Sequence, residues 1–181
     1  PQGVNAKELR DAIPLDKDAD ARSSSARARF IDIVSPYILS PVVGAVKAIF
    51  EYGNVNVAGK RAVVVGEGFL VGAPVATWLR QQGADVIHIG TKTGNFSELR
   101  LADIIVSGLG SPHLIQPEML KEGVVLIDAG TSESGGRIVG DTEPTCSAKC
   151  ALFTPVPGGA GPMTIACLLK NTVKAARNAQ S

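Results

Sequence analysis

The sequence predicts a doubly wound parallel α/β sheet, and three observations carry that prediction. From Lys60 onward, short β-branched runs alternate with helical segments. Nearly every predicted strand is apolar along its whole length, as strands covered on both faces are. The core must also be aliphatic, because hydrophobic residues make up 45% of the 181 residues and aromatic residues only 4%. Strands separated by helices need crossover connections, and crossovers impose parallel pairing.

The elements follow in order. Asn5 to Ile13 (NAKELRDAI) reads as a short helix with Asn5 as N-cap, stopped by Pro14. The next stretch, LDKDADARSSSARAR, is polar without periodicity and reads as a solvated loop. Ser40-Pro41 opens a second helix through Tyr52, ended by Gly53-Asn54. RAVVVG (Arg61 to Gly66) is the first strand, and Gly72 to Gln82 a helix with Gly83 at its end. Ala84 to Ile89 gives a second strand and Phe96 to Leu101 a short helix. Ala102 to Gly108 is a third strand, Gln116 to Lys121 a helical turn, and Val124 to Gly130 a fourth strand. Ser132 to Gly140 reads as a glycine-rich turn or hairpin, and Glu143 to Lys149 as a short helix. Ala151 to Val156 is the last strand, followed by a closing helix from about Pro162 to Ala176.

Composition narrows the function. Eighteen basic and seventeen acidic residues give a net charge of +1 with no like-charge run, so no nucleic-acid or membrane-surface footprint is expected. The apolar stretch from Ile31 to Phe50 is broken by Asp32, Pro36, Pro41 and Lys47 and is no membrane span. Cys146, Cys150 and Cys167 lack a second cysteine pair and a nearby histidine, so no metal site is expected. They read as small buried hydrophobes in a reducing compartment. The expectation is a cytoplasmic protein, and the opening at Pro1 suggests the tail of something longer.

The segment Gly66-Glu67-Gly68-Phe69-Leu70-Val71-Gly72 lies between the first strand and its helix. A pyrophosphate needs backbone amides at a helix N-terminus and no side chain in its way, which glycines provide. The spacing G-x-G-x-x-x-G is one residue longer than the usual dinucleotide fingerprint, and turn chemistry alone is the competing explanation. The second strand usually ends in an acid that binds the adenosine ribose. Here it ends Gly90-Thr91-Lys92-Thr93, whose hydroxyls and cation suit a 2′-phosphate, whereas Glu67 would repel one.

Two segments carry a family resemblance. Val65 to Pro74 (VGEGFLVGAP) is similar to the VGRSxxVGxP segment of the methylenetetrahydrofolate dehydrogenase/cyclohydrolases. Thr154 to Thr164 (TPVPGGAGPMT) nearly reproduces that family's TPVPGGVGPMT, with Ala160 in place of valine. Ala102 to Ile105, Gly110-Ser111-Pro112, Lys121-Glu122-Gly123, Ile127 to Gly130 and Val139-Gly140-Asp141 follow in the family's order and spacing. Upstream, Asp16 to Asp20 (DKDAD) resembles the family's KDVDG stretch.

The resemblance implies a Rossmann-like NAD(P)-binding domain over residues 36–181, preceded at 1–35 by a remnant of a second α/β, folate-binding domain. It implies an oxidoreductase of one-carbon metabolism that oxidises 5,10-methylenetetrahydrofolate, with NADP (or NAD) as cofactor, acting as a homodimer. Gly66, Glu67, Gly68 and Gly72 would hold the dinucleotide phosphates, and Thr91, Lys92 and Thr93 the adenosine ribose or its phosphate. Gly110 would also bind the cofactor, and the Thr131 backbone and Thr164 would lie toward the nicotinamide. Asp20 would contact the pterin, since a carboxylate accepts two parallel N–H bonds. Pro157, Gly158, Gly159, Ala160 and Gly161 would wall the folate cleft. Three departures stand out: Glu67-Gly68 replaces the family's Arg-Ser, Ala21 replaces the glycine after KDVD, and Ile38-Leu39-Ser40-Pro41 replaces PCTP. The family's YxxxK lysine and VQLPLP glutamine have no counterpart in these residues, so no catalytic residue is identified and cyclohydrolysis is not expected of them. Two alternatives stay open: a nucleotide-binding or assembly module without catalysis, and a shikimate-dehydrogenase-like enzyme, against which TPVPGGAGPMT argues.

Overall fold

The computed structural model describes residues 3–90 and 94–178. The strands are β1 (Arg61–Val65), β2 (Asp85–Ile89), β3 (Ile104–Ser107), β4 (Val124–Asp128), β5 (Ser132–Ser134), β6 (Arg137–Val139) and β7 (Cys150–Thr154). Five of them form one sheet in the order β2-β1-β3-β4-β7, and every pairing in it is parallel. β5 and β6 form a separate antiparallel hairpin, the second of the two forms, turn or hairpin, that the glycines between them allow. The chain leaves β1 toward β2 and returns on its other side as β3, so the sheet has a topological switch between β1 and β3. Ligands of open α/β sheets bind at the carboxyl ends of the strands beside such a switch.

The helices are α1 (Ala6–Asp11), α2 (Ser24–Ile31), α3 (Pro41–Tyr52), α4 (Gly72–Gln81) and α5 (Ala160–Asn178). Strand pleating sends alternate side chains to opposite faces. Ala62, Val64, Ile104, Val106 and Ile127 pack against α3 and α4, with Ala160 at the start of α5 joining the same cluster. Val63, Val65, Ile105, Val124 and Leu126 face the other way. There the cover consists of 3-10 turns at Phe96–Leu101, Pro117–Met119 and Pro144–Lys149, whose Leu99 and Cys146 are fully buried. The predicted short helices are thus in place but are tighter than α. Runs of three or six residues, two of them starting at a proline, suit i→i+3 closure. The edge strands β2 and β7 are only partly covered, unlike the buried β1, β3 and β4.

The stretch after Pro14 corrects the expectation of a loop. It contains a 3-10 turn at Leu15–Lys17 and the helix α2. Local capping explains this. The Ser23 hydroxyl accepts the Ala26 amide at 3.2 Å, and the Asp18 carboxylate accepts the amides of Arg22 and Ser23 at 3.1 and 2.8 Å. Asp11 on α1 accepts the Ser24 amide at 2.7 Å, tying α1 to the start of α2. Only Ala26 and Phe30 of α2 are buried, too few apolar positions to show a helical period in the sequence. Phe30 enters the main core, and Gln81 Nε2 donates to its carbonyl at 2.9 Å. Asn171 of α5 donates to the carbonyls of Ala19 and Leu39, both at 2.9 Å. The N-terminal segment is therefore held against the rest of the domain, and α2 with the residues just before it forms one wall of a cleft. Among the described residues, no helix is long and apolar enough to cross a membrane.

Candidate functional site

The loop from Gly66 to Gly72 joins β1 to α4. Gly66 has φ +103°, and a Cβ there would lie 2.7 Å from the Gly108 carbonyl oxygen. A Cβ on Gly72 would run into the Gly66 carbonyl. That carbonyl accepts a hydrogen bond from His88 Nε2 at 2.8 Å, so β2 pins the loop from the side. Folding thus accounts for Gly66 and Gly72. It does not account for Gly68, which has no unusual φ and nothing within 4 Å of where a Cβ would sit. No side chain caps the start of α4 either. A bare glycine beside an uncapped helix N-terminus fits a loop approached by a phosphate.

Two buried aspartates shape the neighbouring loops. Asp141 accepts the Ser107 hydroxyl at 2.6 Å and the amides of Leu109 and Ser111 at 2.7 and 2.8 Å. Asp128 accepts the amides of Gly130, Asp141 and Thr142 at 2.9, 3.2 and 2.9 Å. Burial raises the Asp128 carboxyl above its ordinary value of 3.8, against the pull of these bonds. Any side chain at Gly130 would collide with the Asp141 carboxylate, and one at Gly140 with Asp128. The loops after β3 and β4 are consequently closed onto each other, and the space beside Gly110 is bounded, 4.0 Å from its Cβ position, by the Thr131 carbonyl.

A cleft of about 570 Å³ opens between these loops, the loop before α4 and the N-terminal helices. It brings Asp20, Thr131, Thr164 and all five residues from Pro157 to Gly161 to one surface. Gly66, Glu67, Gly68, Gly72 and Gly110 do not line it; the glycine loop reaches it through Phe69, Leu70 and Val71. Thr91, Lys92 and Thr93 lie outside the described residues. In the Pro157–Gly161 wall, Gly158 has φ +105°, while a Cβ on Gly159 would lie 2.7 Å from that of Thr154. Gly161 has open space instead and faces the cleft bare. The Thr164 hydroxyl donates to the Ala160 carbonyl at 2.8 Å. Burial raises the Asp20 carboxyl, opposed by the Arg22 guanidinium 3.3 Å away.

One feature of the site has no motif to announce it. Phe69, midway along the glycine loop, meets the guanidinium groups of both Arg10 and Arg27, 4.5 and 4.0 Å from its ring centre. Arg27 also donates to the Phe69 carbonyl at 3.0 Å. Burial and the neighbouring Arg10 lower the Arg27 pKa. A large aromatic residue within a glycine loop was the one available clue to this contact. Elsewhere, burial pushes the Cys146 and Cys150 thiols up to about 11, so neither is a ready nucleophile at neutral pH.

The model of the family described as tetrahydrofolate dehydrogenase/cyclohydrolase, NAD(P)-binding domain, matches residues 41–180. The chain belongs to this family. It is 35% identical over 181 residues to the bifunctional protein FolD of Campylobacter hominis, covering 98% of this chain and 63% of that protein. The crystal structure of the FolD methylenetetrahydrofolate dehydrogenase/cyclohydrolase from Campylobacter jejuni matches with a TM-score of 0.94 and 35% identity, over 98% of this chain and 64% of that one. The Trypanosoma brucei FolD, solved with NADP cofactor and an inhibitor, matches at 0.92 and 32%, over 100% and 65%. The chain thus spans just under two thirds of these relatives. A shikimate 5-dehydrogenase from Thermus thermophilus, at 16% identity and a TM-score of 0.52, shares the fold alone.

Proposed function

We propose that this chain carries the dehydrogenase site of a methylenetetrahydrofolate dehydrogenase/cyclohydrolase, oxidising 5,10-methylenetetrahydrofolate with NADP or NAD. Residues 1–35 are the end of a folate-binding unit in this reading, and residues 36–181 form the dinucleotide unit. The observation that carries it is the shared cleft, in which Asp20 from the N-terminal segment and the Pro157–Gly161 wall face one space beside the glycine loop. Gly66 and Gly72 close the turn, and Gly68 leaves room for the pyrophosphate before α4. Gly110, beside the Thr131 carbonyl, and Thr164 serve the nicotinamide end in this reading, supported by the closure of the loops onto Asp128 and Asp141.

When bound, the dinucleotide supplies the hydride acceptor. The chain's own contribution is positioning and dryness. Asp20 accepts N–H bonds from the pterin ring, and the apolar walls from Phe69 to Val71 and from Pro155 to Pro157 keep water from the reacting carbon. Orientation of this kind supplies on the order of several kcal/mol of a barrier. No tyrosine is followed four residues later by lysine anywhere in the sequence, so nothing here serves the hydrolytic step.

The test is turnover by the purified chain. Dinucleotide reduction that depends on 5,10-methylenetetrahydrofolate is expected, with hydrolysis of the methenyl compound no faster than in buffer. Dinucleotide binding without any reduction would favour the second reading, a binding module without catalysis. Hydrolysis above the buffer rate would contradict the assignment of that step to residues outside this chain.

A further inference from the structure

In folds of this class the adenosine ribose sits at the end of the second strand, where an acidic side chain accepts its two hydroxyls. Here β2 ends at Ile89, and Gly90 follows. No acid stands at that position, yet a carboxylate is there. The Glu67 side chain crosses from the phosphate loop and rests against Gly90. A Cβ added to Gly90 would lie 2.6 Å from Glu67 Cδ and in contact with both carboxylate oxygens. Gly90 has no positive φ, so turn geometry does not call for glycine at this place. The space a Cβ would take is occupied by the far end of the Glu67 side chain.

We infer that Glu67 replaces the missing β2 acid, holds the adenosine ribose diol of the dinucleotide, and makes the chain favour NAD over NADP. This inference rests on the reading of Gly66–Gly72 as a dinucleotide loop. A carboxylate has two acceptor oxygens and suits the 2′- and 3′-hydroxyls of an unphosphorylated ribose. A 2′-phosphate adds between about one and a half and two negative charges at the same place. Glu67 is exposed, so solvent weakens the repulsion without abolishing it. At a separation of about 4 Å the remaining penalty corresponds to a discrimination of roughly tenfold or more. Thr91, Lys92 and Thr93 are of residue types that suit a 2′-phosphate, but the group placed at the strand end among the described residues is the Glu67 carboxylate.

Calorimetric titration with NAD, NADP, 5′-AMP and adenosine 2′,5′-bisphosphate tests this without turnover. The wild type is expected to bind NAD at least about tenfold more tightly than NADP, with the same order for the two adenosine fragments. Glu67→Gln should shrink that ratio several-fold, and Glu67→Arg should invert it by supplying a bidentate phosphate donor. Gly90→Ala, which displaces the carboxylate, should weaken NAD and leave NADP unchanged or tighter. A wild type that prefers NADP, or a ratio that ignores Glu67→Gln, overturns the inference and leaves the dinucleotide site standing. Failure to bind either dinucleotide overturns both.

Discussion

At the scale of single residues, the acidic groups divide into those that shape the site and those that hold the scaffold. Asp141 takes three donors into a fully buried pocket and closes the loop from Ser107 to Ser111. Asp141→Ala would leave those donors unpaired, at a cost of about 3 kcal/mol or more, and should also weaken dinucleotide binding. Chemical denaturation and calorimetry on the same variant check both effects. Asp103 behaves differently. Its carboxylate accepts Lys121 Nζ at 2.6 Å and the Arg61 amide at 2.9 Å, and these bonds, the lysine foremost, lower its pKa below the ordinary 3.8. A depressed carboxyl adds stability that is complete above its unfolded-state pKa and disappears as pH falls through the native one. Asp103→Asn should therefore cost about 1 kcal/mol at pH 7, after allowance for solvent screening, and close to nothing in acid below the native pKa. Urea melts at the two pH values measure the difference. Motif reading located Asp128 and Asp141 but not their task, because the donors they serve lie up to 34 residues away in sequence.

At the scale of elements, close approach explains what periodicity does not. Gly44 sits in the middle of α3, where glycine weakens a helix. A Cβ there would meet Cys167 Sγ of α5 at 3.1 Å, so the glycine lets the two helices pack closely. Gly44→Val should destabilise the fold by about 1–3 kcal/mol through overpacking, and Cys167→Ala in the same chain should recover part of that loss. An additive double mutant would show that the two positions do not meet. Helices α1, α3, α4 and α5 and the five strands of the main sheet were legible from caps, glycines and apolar runs, whereas residues 132–140 read only as a turn or hairpin. Helix α2 was not, since its order comes from Ser23, Asp18 and Asp11 rather than from an apolar stripe. The Arg10–Phe69–Arg27 contact was equally hidden, because it joins an N-terminal segment to a loop through side chains with no motif.

At the scale of the whole molecule, the parallel order β2-β1-β3-β4-β7 brings the glycine loop and the ends of β3, β4 and β7 to one edge of the sheet. The doubly wound class was readable because all-apolar strands between crossovers admit few other arrangements. The cleft was readable only in parts. TPVPGGAGPMT and Asp20 are far apart in the chain, and what unites them is the docking of the N-terminal helices through Phe30, Gln81 and Asn171. The proposed function stands on the glycine loop being a phosphate site, and Gly68 isolates that claim, since folding makes no demand on it. Calorimetric titration of the wild type and Gly68→Val with a nicotinamide dinucleotide, each first shown to melt at the same temperature, is the direct measurement. Saturable binding by the wild type is expected, with a loss of at least about a hundredfold in affinity in the variant, as a branched side chain fills the pyrophosphate space. Equal affinity in the two proteins would contradict a phosphate site at this loop.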